Sequence, residues 1–141
     1  MEDLLCKALS QYGVKEIVGE EHNPIIVNYF KEIGHEWVEN DELAWCSAFL
    51  NWCAKTTGYE YTGKLNARSW LAVGKDVANP EPGDIVILWR VKPDSWYGHV
   101  GLFINEINGY INILGGNQSN KVKISAYPKY RLLGYRRLNK S

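Results

Sequence analysis

The fold is organised around the segment NDELAWCSAFLNWCA, which spans residues 40–54. Large apolar side chains recur in this segment at helical spacing and form one face that is too apolar to leave in water. These residues are Trp45, Phe49, Trp52 and Cys53. Asn40 or Asp41 is placed to cap the first turn, where acidic side chains also complement the positive end of the helix dipole. We therefore predict a buried helix that the rest of the chain packs against.

Two cysteines of this helix have different predicted roles. Cys46 and Cys53 lie on nearly the same face but roughly 10 Å apart along the axis, which is too far for a disulfide. Cys46 lies near the N-terminus of the helix, where backbone N–H groups favour a thiolate and lower the thiol pKa. Cys53 lies deeper and is predicted to be a small buried apolar residue. Cys46 is therefore the candidate nucleophile.

The composition limits the class of protein. The chain has 141 residues, of which 45% are hydrophobic and 13% aromatic, and this predicts a single domain over residues 1–141 with one packed core. The formal net charge of zero gives no overall field that would attract nucleic acid. The three cysteines show no CxxC spacing, so we expect neither a disulfide framework nor a zinc ribbon. Catalysis by one thiol would need no metal or other cofactor.

The sequence also leads to predictions of where the protein is made and how it is exported. No apolar run reaches membrane-spanning length, and the N-terminus lacks the basic and long apolar regions of a signal peptide. We therefore expect synthesis in the cytoplasm without a signal peptide or membrane anchor, and any export by another route. The oligomeric state is left open.

Helical patterns precede strand patterns along the chain. Residues 1–78 are predicted to form the helical part, which ends at a turn cluster over residues 79–84. The strand part spans residues 84–138, and its predicted strands are residues 84–90, 98–104, 109–114, 121–127 and 132–137. This order predicts an α+β fold, with N-terminal helices packed on a C-terminal antiparallel sheet of about five strands.

A histidine opens one of these strands, in the sequence Gly98-His99-Val100-Gly101. Alternation along the strand puts His99, Gly101 and Phe103 on one face. Glycine inside a strand often marks a close approach by another element. We therefore expect the cysteine helix to pack above Gly101, which would bring Cys46 towards His99.

The third residue of a catalytic triad is expected in Gly115-Gly116-Asn117-Gln118. Asn117 would orient the imidazole, which completes the Cys, His and Asn order of thiol hydrolases. This placement requires a three-residue loop ending at Gly109 or a bulge at Gly115-Gly116. A two-residue turn at Asn108-Gly109 without a bulge would instead set Gln118 opposite His99.

Five short motifs occur together in an order that resembles the small CHAP-related cysteine hydrolases of the NlpC type, many of them from phages. The motifs are WCSAF at 45–49, NARSW at 66–70, PGDIV at 82–86, GHVG at 98–101 and LGGNQ at 114–118. The resemblance implies a papain-like fold and cleavage of amide bonds in bacterial peptidoglycan. It assigns the nucleophile to Cys46, the general base to His99 and the orienting residue to Asn117. Many relatives have Asp directly before the nucleophile, where this chain has Trp45.

Aromatic side chains near these motifs are candidates for substrate binding. Trp96 and Tyr97 directly precede Gly98-His99, and with Trp70 they are predicted to line a groove for a glycan or stem peptide. The alternative for each is ordinary packing in the core or at its rim. Arg68 is a candidate for holding a substrate carboxylate, with a surface ion pair as the alternative. His22, His35 and Cys6 show no metal-ligand spacing.

Three functions compete on this pattern. The first is a peptidoglycan amidase or endopeptidase, such as a phage endolysin that reaches the cell wall through a holin-like or other secretion route. The second is a non-catalytic module that binds the wall or a glycan through the aromatic groove. The third is a cysteine-dependent transferase, which joins an amine where the first function uses water.

Overall fold

The computed structural model describes residues 2–16, 23–35 and 44–141. The helices are α1 (Glu2–Leu9), α2 (Pro24–Glu32) and α3 (Ala44–Thr56), with short 3-10 helices at Ala67–Ala72 and Lys129–Arg131. The strands are β1 (Lys75–Asp76), β2 (Ile85–Trp89), β3 (Gly98–Ile107), β4 (Tyr110–Gln118), β5 (Lys121–Pro128) and β6 (Leu132–Arg137). The predicted caps Asn40 and Asp41, and His22, lie outside the described residues.

The strands form one antiparallel sheet in the order β1-β6-β2-β3-β4-β5. The predicted α+β fold is confirmed, and each of the five predicted strands is present with ends shifted by a few residues. The two-residue β1 adds a sixth strand beside β6 and lies inside the part that was predicted to be helical. Its residues Lys75 and Asp76 are both exposed, so no alternation of apolar residues could reveal it.

Helix α3 is the centre of the larger core. Every residue from Trp45 to Ala54 is buried, and the helix packs with apolar residues of α1, α2 and the sheet. Cys53 is fully buried, and this burial raises the pKa of its thiol, as suits the apolar role predicted for it. Burial of so many large side chains makes α3 the element that fixes the positions of its neighbours.

The sheet is covered on both faces, which explains the unbroken apolar run of β2. Ile85 and Ile87 face the core that contains α3, whereas Val86 and Leu88 belong to a second cluster on the other face. The second cluster also contains Phe103, Ile111, Ile113 and Tyr135. A strand with two buried faces needs no polar alternation.

The helix and sheet approach most closely at Gly116, which corrects the expectation for Gly101. A Cβ at Gly116 would lie 2.9 Å from Phe49 Cβ and 2.9 Å from Trp45 Cζ3. A Cβ at Gly101 would instead clash with Ile113 and the Leu114 carbonyl of β4. The helix lies over the face of β3 that carries Val100 and Leu102, opposite to the face of Gly101.

This contact gives a first test. Replacing Gly116 with Ala is expected to lower the free energy of unfolding by about 1–3 kcal/mol, because the new methyl group overpacks the contact between α3 and β4. Gly134→Ala is the control, since its Cβ would meet only the flexible end of Leu71 at 3.3 Å. Urea denaturation should separate the two variants. Equal stability of both would show that α3 does not constrain Gly116.

Candidate active site

Cys46 is the third residue of α3 and is 1% exposed. The residues predicted to cap this helix, Asn40 and Asp41, lie outside the described part of the chain, so the position of Cys46 at the positive end of the helix dipole stays a prediction. The next residue, Ser47, donates from Oγ to the Lys64 carbonyl at 2.7 Å and accepts from Trp70 Nε1 at 2.9 Å. These bonds tie the part of α3 that carries Cys46 to Lys64 and Trp70.

The bond to Ser47 also corrects the prediction for Trp70. This tryptophan is completely buried and belongs to the core around α3. Its indole N–H is satisfied inside the protein, so Trp70 does not line a groove. The sequence could not distinguish a wall residue from a core residue, because both interpretations require a large aromatic side chain.

His99 is the second residue of β3 and is 4% exposed. Its Nε2 lies 2.8 Å from Oε1 of Gln118. It pairs with Leu88 of β2, so its side chain lies on the sheet face of the second cluster, opposite to the face that α3 covers. The expectation that α3 would pack directly above His99 is therefore wrong.

The amide of Gln118 fixes which nitrogen of His99 carries the proton. Gln118 Nε2 donates to two backbone carbonyls, that of Ile113 at 3.1 Å and that of Lys123 at 2.6 Å. Carbonyls only accept, so the NH₂ group must face them and Oε1 must face the imidazole. His99 Nε2 therefore carries a proton, and in the neutral ring Nδ1 has the free lone pair.

Two irregularities in the strands place Gln118, and not Asn117, beside the imidazole. The β3–β4 turn has two residues, Asn108 and Gly109, with φ of 50° and 80°. A bulge between Phe103 and Asn105 then shifts the register, and continuing from the Leu102–Leu114 pair would set Asn117 opposite His99.

A second bulge, between Gly115 and Gln118, changes which residue faces His99. Asn117 adopts a left-handed φ of 57°, and the extra residue turns Gln118 onto the face of Gly115. Only glycine fits at 115, because a Cβ there would lie 2.8 Å from Gln118 Oε1. The structure thus corrects the placement of Asn117 and supports the alternative residue, Gln118.

Tyr127 of β5 is a site residue that sequence reasoning missed. Its ring centroid lies 5.1 Å from that of His99, and its hydroxyl oxygen is 3.3 Å from Nε2. Burial, with a contribution from the charge of nearby Cys46, raises the pKa of Tyr127 to about 12. Tyr127 therefore contacts His99 and lies within electrostatic range of Cys46. Nothing in the sequence distinguishes it among nine tyrosines.

Contacts between described residues link the helix that carries Cys46 to the strand end that bonds His99. Trp45 and Phe49 of α3 contact Gly116, and two residues later Gln118 bonds His99. Trp45 is itself held by a hydrogen bond from its indole N–H to Glu16 at 2.5 Å. The tryptophan that stands where many relatives have Asp therefore anchors the turn that carries Cys46.

Comparison with known proteins identifies the family of the chain. The family model for the CHAP domain matches residues 38–117. The chain belongs to the CHAP domain family. Domains of this family are typically cysteine-dependent amidases or peptidases. The matched region contains Cys46 and His99 and ends one residue before Gln118.

The fold of this CHAP domain is also found in a solved structure. That structure is described as similar to a lipoprotein of the NLP/P60 family, from Staphylococcus aureus subsp. aureus Mu50. The two chains are 13% identical with a TM-score of 0.55, over 96% of this chain and 40% of the other. This chain therefore spans less than half the length of that structure, and the likeness concerns the fold. A comparison with curated proteins found no match.

The surroundings of His99 in the CHAP domain favour the neutral ring. Burial lowers its pKa to about 4, with Arg90 and Arg131 acting in the same direction and the bond to Gln118 opposing them. The ring is then neutral near pH 7, ready to accept a proton.

The aromatic residues before β3 lie at the surface. Trp96 is 68% exposed and Tyr97 is 50% exposed, so their role in substrate binding stays a prediction. Arg68 donates to the carbonyls of Pro93 at 3.0 Å and Tyr97 at 3.3 Å, and so ties this loop to the 3-10 helix Ala67–Ala72. Its described contacts are therefore with backbone carbonyls and not with a carboxylate.

Metal-binding side chains do not cluster in the described part of the chain, where no group of three or more His, Cys, Asp or Glu residues could hold an ion. His35 instead contacts the Gly63 carbonyl through Nε2 at 2.6 Å. Among the described helices, none is long and apolar enough to cross a membrane.

The lowered pKa of His99 gives a stability test. The pKa of the His99 ring is about 6.5 in the unfolded chain and about 4 in the native protein. At a pH between these values, the ring is protonated in the unfolded chain but neutral in the native protein. Native stability should therefore fall as the pH falls through this window, by on the order of 3 kcal/mol from this residue.

The measurement is the free energy of unfolding against pH for the wild type and for His99→Asn. The difference between their curves should change across the window, because the variant lacks the titrating ring. Gly134→Ala, which removes no titrating group, is the control and should run parallel to the wild type. Parallel curves for His99→Asn would contradict a neutral, buried His99.

Proposed function

We propose that this domain hydrolyses an amide bond of bacterial peptidoglycan, in the stem peptide or at its junction with the glycan. Cys46 is the nucleophile, His99 the general base and Gln118 the residue that orients the base. Membership of the CHAP domain family supports the reaction class. The peptidoglycan substrate follows from the resemblance of the motifs around these residues.

The observation that carries the proposal is the bonding of Gln118. Because its amide is fixed by two carbonyls, the His99 proton is held on Nε2 and the lone pair on Nδ1. A thiol hydrolase needs this arrangement, with one nitrogen anchored and the other basic. A histidine that served only to fill the core would not need its tautomer fixed by a doubly bonded amide.

In the acylation step, Nδ1 of His99 takes the proton of the Cys46 thiol as the sulfur attacks the carbonyl carbon. Negative charge develops on the carbonyl oxygen, and we assign it to the positive end of α3, with the Cys46 backbone N–H as the first donor. The imidazolium is stabilised by Gln118 Oε1, which accepts from Nε2–H. It then gives the Nδ1 proton to the leaving amine as the C–N bond breaks.

In the second step, water replaces the amine. Nδ1 removes a proton from water, whose oxygen attacks the thioester carbon. Collapse of this intermediate breaks the C–S bond and releases the carboxylic acid, and the proton on Nδ1 returns to the Cys46 sulfur. The exposed rings of Trp96 and Tyr97 are proposed to contact the sugar or peptide beside the scissile bond.

Loss of turbidity of purified cell walls tests this function. Wild type should clear the suspension, Cys46→Ala should not, and His99→Ala should be at least about 100-fold slower. Gln118→Leu should reduce the rate roughly 10- to 100-fold through misorientation of the ring. Asn117→Gly is the matched control, because it removes the neighbouring amide and accepts the positive φ.

Other outcomes would overturn the proposal. Binding of walls without fragment release by the wild type would indicate the non-catalytic module, for which the exposed Trp96 provides a contact surface. Incorporation of an added amine in place of hydrolysis would indicate the transferase. Mass analysis of the released fragments identifies the bond. Delivery to the wall by a holin-like or other route is part of the same proposal.

A further inference from the structure

Arg131, the last residue of the 3-10 helix Lys129–Arg131, is held near the proposed general base, His99. Its Nε donates to the carbonyl of Trp89 at 3.0 Å. Its guanidinium carbon lies 5.8 Å from the Trp89 ring and 5.9 Å from the Tyr127 ring. Tyr127 in turn contacts His99, so one aromatic ring separates this guanidinium from the imidazole.

The charge of Arg131 has no carboxylate partner in the part of the chain that the structure describes. Arg137, by contrast, meets Asp84 at 2.7 Å, and Arg136 donates to the carbonyls of Val73 and Gly74. The Nη groups of Arg131 make no hydrogen bond to any described residue. A guanidinium fixed through Nε and two rings presents these donors in a planar fork, which matches a carboxylate.

A cation at this position, without a carboxylate partner among the described residues, works against catalysis unless something neutralises it. The charge of Arg131 adds to the burial that lowers the pKa of His99, so it opposes the imidazolium that forms when His99 takes a proton. A bound anion would cancel this effect and ease the proton transfer. The chemistry of the site therefore favours a substrate that brings its own negative charge.

We propose that Arg131 binds a carboxylate of the substrate, beside the Cys46 and His99 pair. The domain would then prefer acidic peptide substrates over their amidated counterparts. This inference rests on the proposed function only for the identity of the natural ligand, a peptidoglycan stem peptide with free carboxylates. Trp89 and Tyr127 are positioning residues in this subsite, because they hold the guanidinium in place.

Binding to the full chain carrying Cys46→Ala tests the proposal without turnover. Two peptide pairs are titrated by calorimetry: a stem peptide and its fully amidated form, and an unrelated acidic peptide and its amide. With Arg131 intact, the acid of each pair should bind at least about tenfold more tightly, since a charge-assisted bond is gained. Arg131→Gln should reduce this ratio to about one.

Two further variants separate a specific carboxylate site from a general effect of charge. Arg131→Lys retains the charge and the aliphatic stem but lacks the planar fork. Its ratio of acid to amide affinity should therefore lie between those of the Arg131 protein and Arg131→Gln. This variant carries the test if Arg131→Gln does not fold. Lys129→Gln removes an equal charge two residues away, from a side chain that pairs with Glu106 at 3.0 Å, and should leave the ratio unchanged. An equal loss in Lys129→Gln would mean that only the general charge matters and would overturn the subsite.

The results separate this inference from the proposed function. If Arg131-dependent preference for acids is found but cell walls are not cleaved, the carboxylate site stands and the hydrolase proposal falls. If walls are cleaved but acid and amide forms bind equally to the Arg131-containing protein, the hydrolase proposal stands and the carboxylate site falls.

Discussion

The site depends on one hydrogen-bonded chain, which runs from two backbone carbonyls through Gln118 to His99. The carbonyls of Ile113 and Lys123 belong to neighbouring strands, so the sheet itself orients the amide. The amide then determines the tautomer of the buried imidazole. A change in the register of β4 against β5 would break this chain. The chemistry proposed for Cys46 therefore rests on the backbone geometry of β4 and β5.

Glycine residues and bulges make that geometry possible, and they interrupt the regular pairing of the strands. Gly115 leaves space for the Gln118 amide, and Gly116 lets α3 approach the sheet from the other face. Between them and Gln118, Asn117 takes the left-handed conformation that turns the chain. Three adjacent residues thus perform three different geometric tasks, and together they connect the helix that carries Cys46 to the strand that carries His99.

The sequence predicted the element types well because hydrophobic period and turn residues are local signals. A buried helix that carries Cys46 and a strand that begins just before His99 both followed from them. The placement of Asn117 failed, because it depended on the sum of two bulges, and each bulge reverses which residues face His99. The prediction that Trp70 lines a groove was wrong because its burial is decided by the tertiary fold. Tyr127 and Arg131 reach the site only because the end of β5 approaches His99, which no short segment encodes.

The protonation of His99 at pH 7 tests the central claim most directly. Nitrogen-15 NMR of the imidazole rings, with the His99 signals identified by their loss in His99→Asn, reports which nitrogen carries the proton. A neutral ring protonated on Nε2 is expected in the wild type, and this preference should be lost in Gln118→Leu. A ring protonated on Nδ1, or an imidazolium at this pH, would contradict the role of Gln118 and with it the assignment of Nδ1 as the base for Cys46.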